Sequence, residues 1–444
     1  MRKIYLLIIL VGVILISCEK ENSQPNHEIE YPNIVVLKSP RYWSISSVPE
    51  QFPESSFNND LMSGYNRAKI AWYKIDPLFL RNNSLTPGHI AADIEQQSNH
   101  FVREIFEHEI FPETESETVI PVTIPVLNIA FYPEERGPYN FDSYSTDYSA
   151  GLNSTGKLNS PETRWAGIQR EIPVTGKLFD TLEFWLMDPF VYNENISGDL
   201  YINLGDISED VLKDSKMNTE EGFYNIDWDT TAWGIVPLGG TSDNISDGLA
   251  DYGIDRLSDY NERFFFNNYL SNIYNLCNSE VYNLILEDPS NDNYHYYKGQ
   301  DYDALQLSIL ERYKKYNEVE GNSSGEASQP ATRIPDTEDI DGNFILNTTN
   351  NYEEYKISIR NSDFVEGNNY LVEKRLGYNV NLPNGEQDVE IAWYNFKIPL
   401  GQRSNSYVQF GSIVNPEFIR IYLTNFEEEV ILRFAKLELS YPKN

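Results

Sequence analysis

Acidic side chains recur at short intervals in one stretch of the chain and suggest metal chemistry. Asp247, Asp251, Asp255 and Asp259 are spaced four residues apart, and Glu262 follows them. Carboxylate oxygens that come from a turn-rich segment at short spacing are ligands that Ca²⁺ prefers. We therefore predict a calcium site formed by Asp247, Asp251, Asp255 and Asp259, with a solvated acidic turn as the alternative.

A second acidic stretch, residues 336–342, is similar in composition. Four of its seven residues are aspartate or glutamate, and the stretch ends at Gly342. An EF-hand frame that starts at Thr337 places threonine at both the first and the twelfth ligand positions, which excludes that motif. Calcium binding and an acidic surface turn are the two interpretations of this stretch.

The residue types that usually carry catalysis show no recognisable pattern. The five histidines form neither an H-E-x-x-H motif nor a cluster with cysteine, so zinc is unsupported. P-loop and G-x-G-x-x-G motifs are also missing from the sequence. Carboxylate pairs occur throughout a chain with 68 acidic residues and so single out no glycosidase centre. We expect a non-enzymatic protein with no catalytic residue and no cofactor apart from calcium.

The composition excludes one class of partner. The chain has 444 residues and a net charge of −34, whereas nucleic acid binding requires a basic surface that replaces the counterions of the phosphates. Its aromatic content of 14% is too high for a disordered acidic chain. The abundance of tyrosine and phenylalanine favours a β-rich fold.

The N-terminus has the pattern of a bacterial lipoprotein signal. Arg2 and Lys3 precede an apolar run that is too short to span a bilayer, and Ser17-Cys18 follows it. In such a signal the chain is cut before the cysteine, whose thiol is acylated. We therefore predict Cys18 as the lipid attachment site of an outer-membrane lipoprotein on the periplasmic face or the cell surface. An ordinary signal peptide is the alternative.

Hydrophobic periodicity predicts strands on both sides of a helical region. Alternating patterns near residues 181–186, 199–204, 355–360 and 394–398 indicate half-buried strands, and residues 418–423 and 430–439 continue the series. Apolar residues three to four apart predict helices within 99–110, 259–285 and 304–316. The predicted fold is mainly β, a jelly-roll-like β-sandwich interrupted by a helical segment, with two separate β modules as the alternative.

These patterns divide the chain into six regions. The prediction is a signal peptide (1–17), a flexible tether (18–65), a β-rich region (66–258), a helical insertion (259–320), a linker rich in Ser, Gly and Pro (321–345) and strands that complete the sandwich (346–444).

Eight strings of this sequence resemble one family, the SprA (or Sov) translocons of type IX secretion, which some bacteria require for gliding motility. The strings are AWYKIDPLF (Ala71–Phe79), HFVREI (His100–Ile105), YPEERGPYN (Tyr132–Asn140), RWAGI (Arg164–Ile168), EFWLMDPF (Glu183–Phe190), GDLYINLGDISED (Gly198–Asp210), NYHYY (Asn293–Tyr297) and LRFAKLEL (Leu432–Leu439). The SprA family is several times longer than this chain, which resembles only an internal, extramembrane portion of it. The resemblance therefore implies a place in secretion or motility and does not imply transport activity.

Three functional hypotheses follow. The first is a lipid-anchored accessory or binding module that contacts type IX secretion or motility proteins, with Arg136, Tyr139, Trp165 and Trp185 as candidates for its binding surface. Burial of the two tryptophans in the sandwich core is the alternative for those residues. The second hypothesis is a carbohydrate-binding jelly roll that uses exposed aromatic side chains as sugar platforms. The third is a shortened SprA paralogue with no separate role.

Overall fold

The structure is a computed structural model that describes residues 33–113, 121–174, 178–220, 228–237, 252–317, 336–401, 404–406 and 416–442. Cys18, Asp247 and Asp251 lie outside these ranges.

Most of the described chain is organised in two antiparallel sheets. Sheet A contains β1 (Ile34–Val36), β3 (Ala68–Tyr73), β4 (Leu127–Arg136), β6 (Thr181–Met187), β11 (Leu371–Leu376), β12 (Ala392–Pro399) and β15 (Val430–Ser440). Sheet B contains β2 (Ser44–Ile45), β5 (Trp165–Glu171), β7 (Ser197–Asp206), β10 (Asn351–Arg360), β13 (Asn405–Ser406) and β14 (Phe418–Thr424). The short strands β8 (Trp228–Thr230) and β9 (Ile235–Pro237) pair with each other.

Eight of these strands are connected as a jelly roll. Their spatial order is β12–β6–β15–β4 in sheet A and β10–β7–β14–β5 in sheet B. All neighbouring pairs are antiparallel, and the chain alternates between the two sheets except where β7 is followed by β10 in sheet B. Two four-stranded sheets with this order form the jelly-roll architecture. The predicted mainly β fold is therefore confirmed.

The core lies between the two sheets because alternate side chains of each strand point inward. On β7, Leu200, Ile202 and Leu204 enter the core, and on β15 Leu432 and Phe434 meet them from the opposite sheet. The predicted strands near 181–186, 199–204, 355–360, 394–398, 418–423 and 430–439 all coincide with strands of the structure. Both sheets contain strands from before and after the helical region, so the alternative of two separate β modules is wrong.

The described helices form two groups. The first contains α1 (Pro77–Leu80), α2 (Gly88–Ala92), α3 (Ile94–Ser98) and α4 (Glu107–Ile110). The second contains α5 (Asp259–Phe265), α6 (Asn267–Leu276), α7 (Ser279–Glu287), α8 (Gln300–Ala304) and α9 (Ile309–Tyr313). The second group lies within the segment predicted as the helical insertion.

The single helix predicted over 99–110 is wrong. The chain leaves the helical conformation at Asn99, whose side chain accepts a hydrogen bond of 2.8 Å from the backbone N–H of Phe101. Such a local side-chain bond competes with helix formation. The guanidinium of Arg103 donates hydrogen bonds to the carboxylate of Glu109. This contact, and not a helix, fixes the conformation of the segment between them.

The boundary of the predicted tether also needs correction. Residues 34–36 pair with β15, and Ser44 and Ile45 pair with β5. Trp43 is completely buried in the core. Residues 34–65 are therefore part of the folded body and do not serve as a tether. Residues 336–342 of the predicted linker also pack against the body, since Glu338 is completely buried.

Other segments of the chain cover part of the outer face of each sheet. On sheet A, Tyr73 and Tyr132 pack with Phe79, Ile309 and Tyr313 from the helices. On sheet B, Gln169 and Arg420 bond to the segment around Ser47. The covered parts of both faces are thus buried by segments of the same chain.

Candidate functional site

Three chain segments meet at a buried group of carboxylates beside the helical region. Arg136 at the end of β4 and Tyr139 in the turn after it contribute from one side, and the segment that leads into α5 contributes Asp255. The loop after α7 contributes Asp288 and Asp292. With Asp259 and Glu262 from α5, the five acidic residues Asp255, Asp259, Glu262, Asp288 and Asp292 are called the acidic centre below.

Ser290 holds the middle of this centre. Its hydroxyl donates a hydrogen bond of 2.7 Å to Oδ2 of Asp255, and its backbone N–H donates one of 2.9 Å to Oε2 of Glu262. Its carbonyl accepts a bond of 2.7 Å from the N–H of Tyr139. One residue of the loop after α7 thus ties together the helix, the preceding segment and the turn after β4.

The turn after β4 closes over the centre. Tyr139 has a φ of 59°, and its hydroxyl accepts a bond of 3.0 Å from the N–H of Ile254. Gly253 has a φ of 54°, and a Cβ there would lie 2.1 Å from Oδ2 of Asp292. Glycine adopts this φ without strain, and the lack of a side chain at 253 leaves room for Asp292 and for the Tyr139 hydroxyl. Arg136 donates a bond of 2.7 Å to the carbonyl of Pro289.

The carboxylates crowd together in two overlapping sets. Asp255, Glu262 and Asp292 are all buried and each place an oxygen within 4.8 Å of the others, and Asp259, Glu262 and Asp288 do the same. Burial raises the pKa of Asp255 to about 8 and that of Glu262 to about 9, because a charged carboxylate loses its hydration there. The neighbouring carboxylates add to both shifts.

Such a centre can be neutralised chemically in two ways. Protons can occupy some of the carboxylates, or a hard cation can be coordinated by their oxygens. Of the four residues predicted to bind calcium, Asp255 and Asp259 are part of the centre. Asp288 and Asp292 were not predicted as members of this centre. They are also four residues apart, which is the spacing that singled out Asp247 to Asp259.

The second acidic stretch also meets a partner that the sequence pattern did not indicate. Asp339 and Asp341 place oxygens within 4.8 Å of a carboxylate oxygen of Glu209, which follows β7. Glu209 is completely buried and accepts a bond of 2.8 Å from the N–H of Ile340. Burial raises its pKa to about 7. This group, called the Glu209 centre, has the oxygen chemistry that suits Ca²⁺.

The four residues predicted as a binding surface are all buried, and that prediction is corrected. Trp165 is fully enclosed and donates a bond of 3.0 Å to Glu54, and Trp185 packs under Phe111. Arg136 and Tyr139 bind the loop after α7 as described above. The polar atoms of Arg136 and Tyr139 are bonded inside the molecule. The two tryptophans are buried as the alternative required, but outside the core between the sheets, since Trp185 belongs to a separate cluster and Trp165 stacks on Phe52.

Tryptophan burial also removes the support for a carbohydrate-binding jelly roll. Six of the seven tryptophans are buried. The seventh, Trp228, is 44% exposed, and Arg256 lies over its ring at 4.9 Å. A sugar platform requires several exposed rings in one groove. With a single exposed ring, the tryptophans do not form such a platform.

Exposed apolar side chains concentrate instead on the helices α5 to α7. Tyr260 and Phe264 are 64% and 61% exposed and contact each other on one face of α5, with ring centroids 4.9 Å apart. Tyr274 on α6 and Leu284 on α7 are similarly exposed. These four residues are called the helical apolar surface. A contiguous apolar patch is the usual sign of a surface that another molecule covers, and Tyr260 and Phe264 are the two members of this set that contact each other.

A search of the described helices found none that is both long enough and apolar enough to cross a membrane.

Comparison with known proteins supports the resemblance seen in the sequence. No curated protein matches the chain significantly. A family model does match the part of the chain that contains α7 to α9 and strands β10 to β15. Residues 268–441 match SprA_N, described as a motility related/secretion protein, and the predicted SprA-like character of the chain is confirmed over this segment.

Proposed function

We propose that the protein is a non-enzymatic lipoprotein of the outer membrane or cell surface that serves as a binding or accessory module in type IX secretion or gliding motility. The observation that carries the proposal is the match of residues 268–441 to a motility and secretion family. That segment supplies β10, β12, β14 and β15, which are half of the jelly-roll strands. The matched segment is thus an integral part of the folded body.

The helical apolar surface is the candidate docking site of this module. Tyr260 and Phe264 lie just before the matched segment, and Tyr274 and Leu284 lie inside it. Val372 and Leu376 on the edge strand β11 are also exposed, but the pair Tyr260 and Phe264 offers two aromatic rings in contact with each other. Aromatic side chains with one exposed face are enriched where proteins bind each other.

The lipid anchor is the second element of the proposal. Acylation at Cys18 would hold the body beside the membrane through a short polar segment that ends near residue 33. The test is metabolic labelling with a palmitate analogue, compared between the unaltered protein and Cys18→Ala. Label in both proteins, or in neither, would contradict lipid attachment at this residue.

The functional test uses the full chain in the cells that produce it. The tagged protein is crosslinked in intact cells, and its partners are identified by mass spectrometry. We expect secretion or motility proteins to be recovered with the unaltered chain and lost with the double variant Tyr260→Ser/Phe264→Ser. Leu305→Ser is the matched control, because Leu305 is similarly exposed at 69% and lies after α8, on none of the helices α5 to α7.

The outcome also separates the proposal from the third hypothesis. If no secretion or motility protein is recovered, and deletion of the gene changes neither secretion nor gliding, the accessory role is wrong. A shortened paralogue with no separate role would then be favoured.

Calcium binding by the acidic centre and the Glu209 centre stays a proposal. Both groups offer several carboxylate oxygens within a few ångströms of each other. A bound cation at either place would support the fold of the module and would take no part in a reaction.

A further inference from the structure

A small pocket opens between the outer face of sheet A and the segment that runs from α3 to β4. It has a volume of about 90 Å³. Asn128 on β4 and Arg433 on β15 contribute to it from the sheet, where they are paired neighbours. Arg103 lines it from the covering segment, and Lys74 and Glu104 also contribute.

Arg433 is a buried cation without a carboxylate partner in the described part of the chain. Its Nε donates a bond of 3.0 Å to the amide oxygen of Asn128, and Nη2 donates one of 3.0 Å to the carbonyl of Arg103. Nη1 donates to the carbonyl of His100 and to the sulfur of Met187, the latter at 3.9 Å. All these acceptors are neutral, and a buried charge that is not balanced by an opposite charge is costly.

The nearby carboxylates of Glu109 and Glu104 form ion pairs with other arginines. Glu109 forms two bonds with Arg103, of 2.9 and 2.8 Å. Glu104 forms two bonds with Arg81, of 2.8 and 2.6 Å. Once these ion pairs are formed, neither Glu104 nor Glu109 is available to neutralise the charge of Arg433.

The groups around Arg433 do not neutralise its positive charge either. Burial lowers the pKa of Arg433 to about 9, and the charge of Arg103 contributes in the same direction. The pKa of His100 is lowered to about 4, so its ring is neutral at pH 7. Lys74 is exposed and forms no ion pair with any residue of the described ranges. A protein of net charge −34 thus has a pocket whose lining is positively charged.

The remaining lining is apolar. Ile75, Leu80, Val102 and Ile124 are among the aliphatic side chains that surround the pocket. A ligand that suits such a lining has one anionic end and a short hydrocarbon end. The volume is smaller than the cavity of about 150 Å³ that holds a benzene ring, which limits the hydrocarbon to a few carbons.

We propose that this pocket binds a small aliphatic monocarboxylate, with its carboxylate directed to Arg433 and Lys74 and its alkyl group against the aliphatic lining. Each nitrogen of Arg433 already donates to a protein acceptor, so the carboxylate would bind through the second N–H of Nη2 and through its attraction to the buried charge. The bound anion balances the buried charge, and the alkyl group replaces water in the pocket.

The test is ligand-observed NMR titration of the full chain with propionate. Propionamide is the matched neutral control, and inorganic phosphate tests whether any anion suffices. We expect saturable binding of propionate, at least tenfold weaker binding of propionamide, and a rise in melting temperature with propionate only. Absence of saturable propionate binding up to about 50 mM, or equal binding of propionamide, overturns the proposal. Binding of phosphate without propionate overturns it too, because the aliphatic lining would then have no role.

Variants locate the bound carboxylate. Arg433→Met should abolish propionate binding, but this buried side chain also supports the fold. Lys74→Gln removes a charge from an exposed side chain, and we expect it to weaken propionate binding about fivefold with an unchanged melting temperature in the absence of propionate. Lys397→Gln, an exposed lysine on β12, is the control and should leave binding unchanged. Equal effects of Lys74→Gln and Lys397→Gln would show that propionate does not occupy this pocket.

Discussion

The carboxylate of Asp255 accepts a hydrogen bond of 2.7 Å from the hydroxyl of Ser290. Since the backbone N–H of Ser290 also donates to Glu262, a single residue holds two buried carboxyls close together. Both carboxyls retain their protons far above the pH at which exposed carboxyls lose them. The stability of the folded chain must therefore depend on pH.

We predict that, without added calcium, the free energy of unfolding falls as the pH rises from 5 to 9. The ordinary pKa values are 3.8 for Asp255 and 4.5 for Glu262, and folding raises them to about 8 and about 9. The unfolded chain releases these protons first, so the stabilisation is complete below the ordinary values and is lost as the pH passes through the raised ones. Each carboxyl contributes up to about 1.4 kcal/mol per pH unit in that window. Urea unfolding in EDTA at several pH values measures the slope.

The variant Asp255→Asn/Glu262→Gln provides the control for this slope. It keeps the shape of both side chains and removes their titration, so its stability should vary less between pH 5 and 9. Glu280→Gln changes an exposed acid on α7 and should leave the slope as it is. An unaltered slope in the double variant would show that these carboxyls do not titrate as described.

We predict that calcium reverses this destabilisation at pH 8. A cation that binds the folded state alone stabilises it by about 2.7 kcal/mol at one hundred times its dissociation constant. Thermal unfolding with Ca²⁺, with Mg²⁺ and with EDTA measures the effect. Asp339→Asn/Asp341→Asn removes two ligands of the Glu209 centre, and Asp255→Asn/Glu262→Gln removes two of the acidic centre. Equal melting temperatures with Ca²⁺ and with EDTA would exclude calcium at both centres.

A further prediction concerns the buried ion pair between Arg164 and Asp142, both of which are completely enclosed and 2.9 Å apart. Asp142→Asn leaves the guanidinium without its counter-charge, and we expect a loss of about 3 to 5 kcal/mol in the free energy of unfolding. Glu134→Gln breaks the exposed pair with Lys157 and should cost at most about 1 kcal/mol. Chemical denaturation of both variants tests the contrast, which would be refuted by similar losses.

The segment that matches the family, residues 268–441, should not fold alone. Its strands β10, β12 and β14 pair with β7, β6 and β5, all of which precede it. A fragment with residues 268–441 should therefore show poor chemical-shift dispersion and rapid proteolysis. A fragment with residues 33–442 is the control and should be resistant. A compact, protease-resistant 268–441 fragment would show that the matched segment is a domain by itself.

Much of the architecture was predictable because strand burial leaves a period-two pattern in the sequence. Tyr355, Ile357 and Ile359 enter the core and alternate with polar neighbours, as the pattern predicts. The segment 34–45 was missed because β1 and β2 have only three and two residues, too few to show a period. Residues 99–106 were misassigned because Asn99 and Arg103 bond to specific partners, which local spacing cannot reveal.

The candidate sites were predictable only in part, for a related physical reason. Asp255 and Asp259 share one short stretch, and spacing alone singled them out. Glu209 reaches Asp339 and Asp341 across about 130 residues, a contact that follows from the fold. Arg136 and Tyr139 were recognised as notable, but their role is internal because the turn after β4 is covered by the loop after α7.

The position of β15 between β4 and β6 has a consequence for the biogenesis of the protein. Sheet A acquires its central strand only when Val430–Ser440 has left the ribosome, after every other strand of the jelly roll. Until then β4 and β6 have no strand between them, and the nascent chain cannot reach its stable form during synthesis.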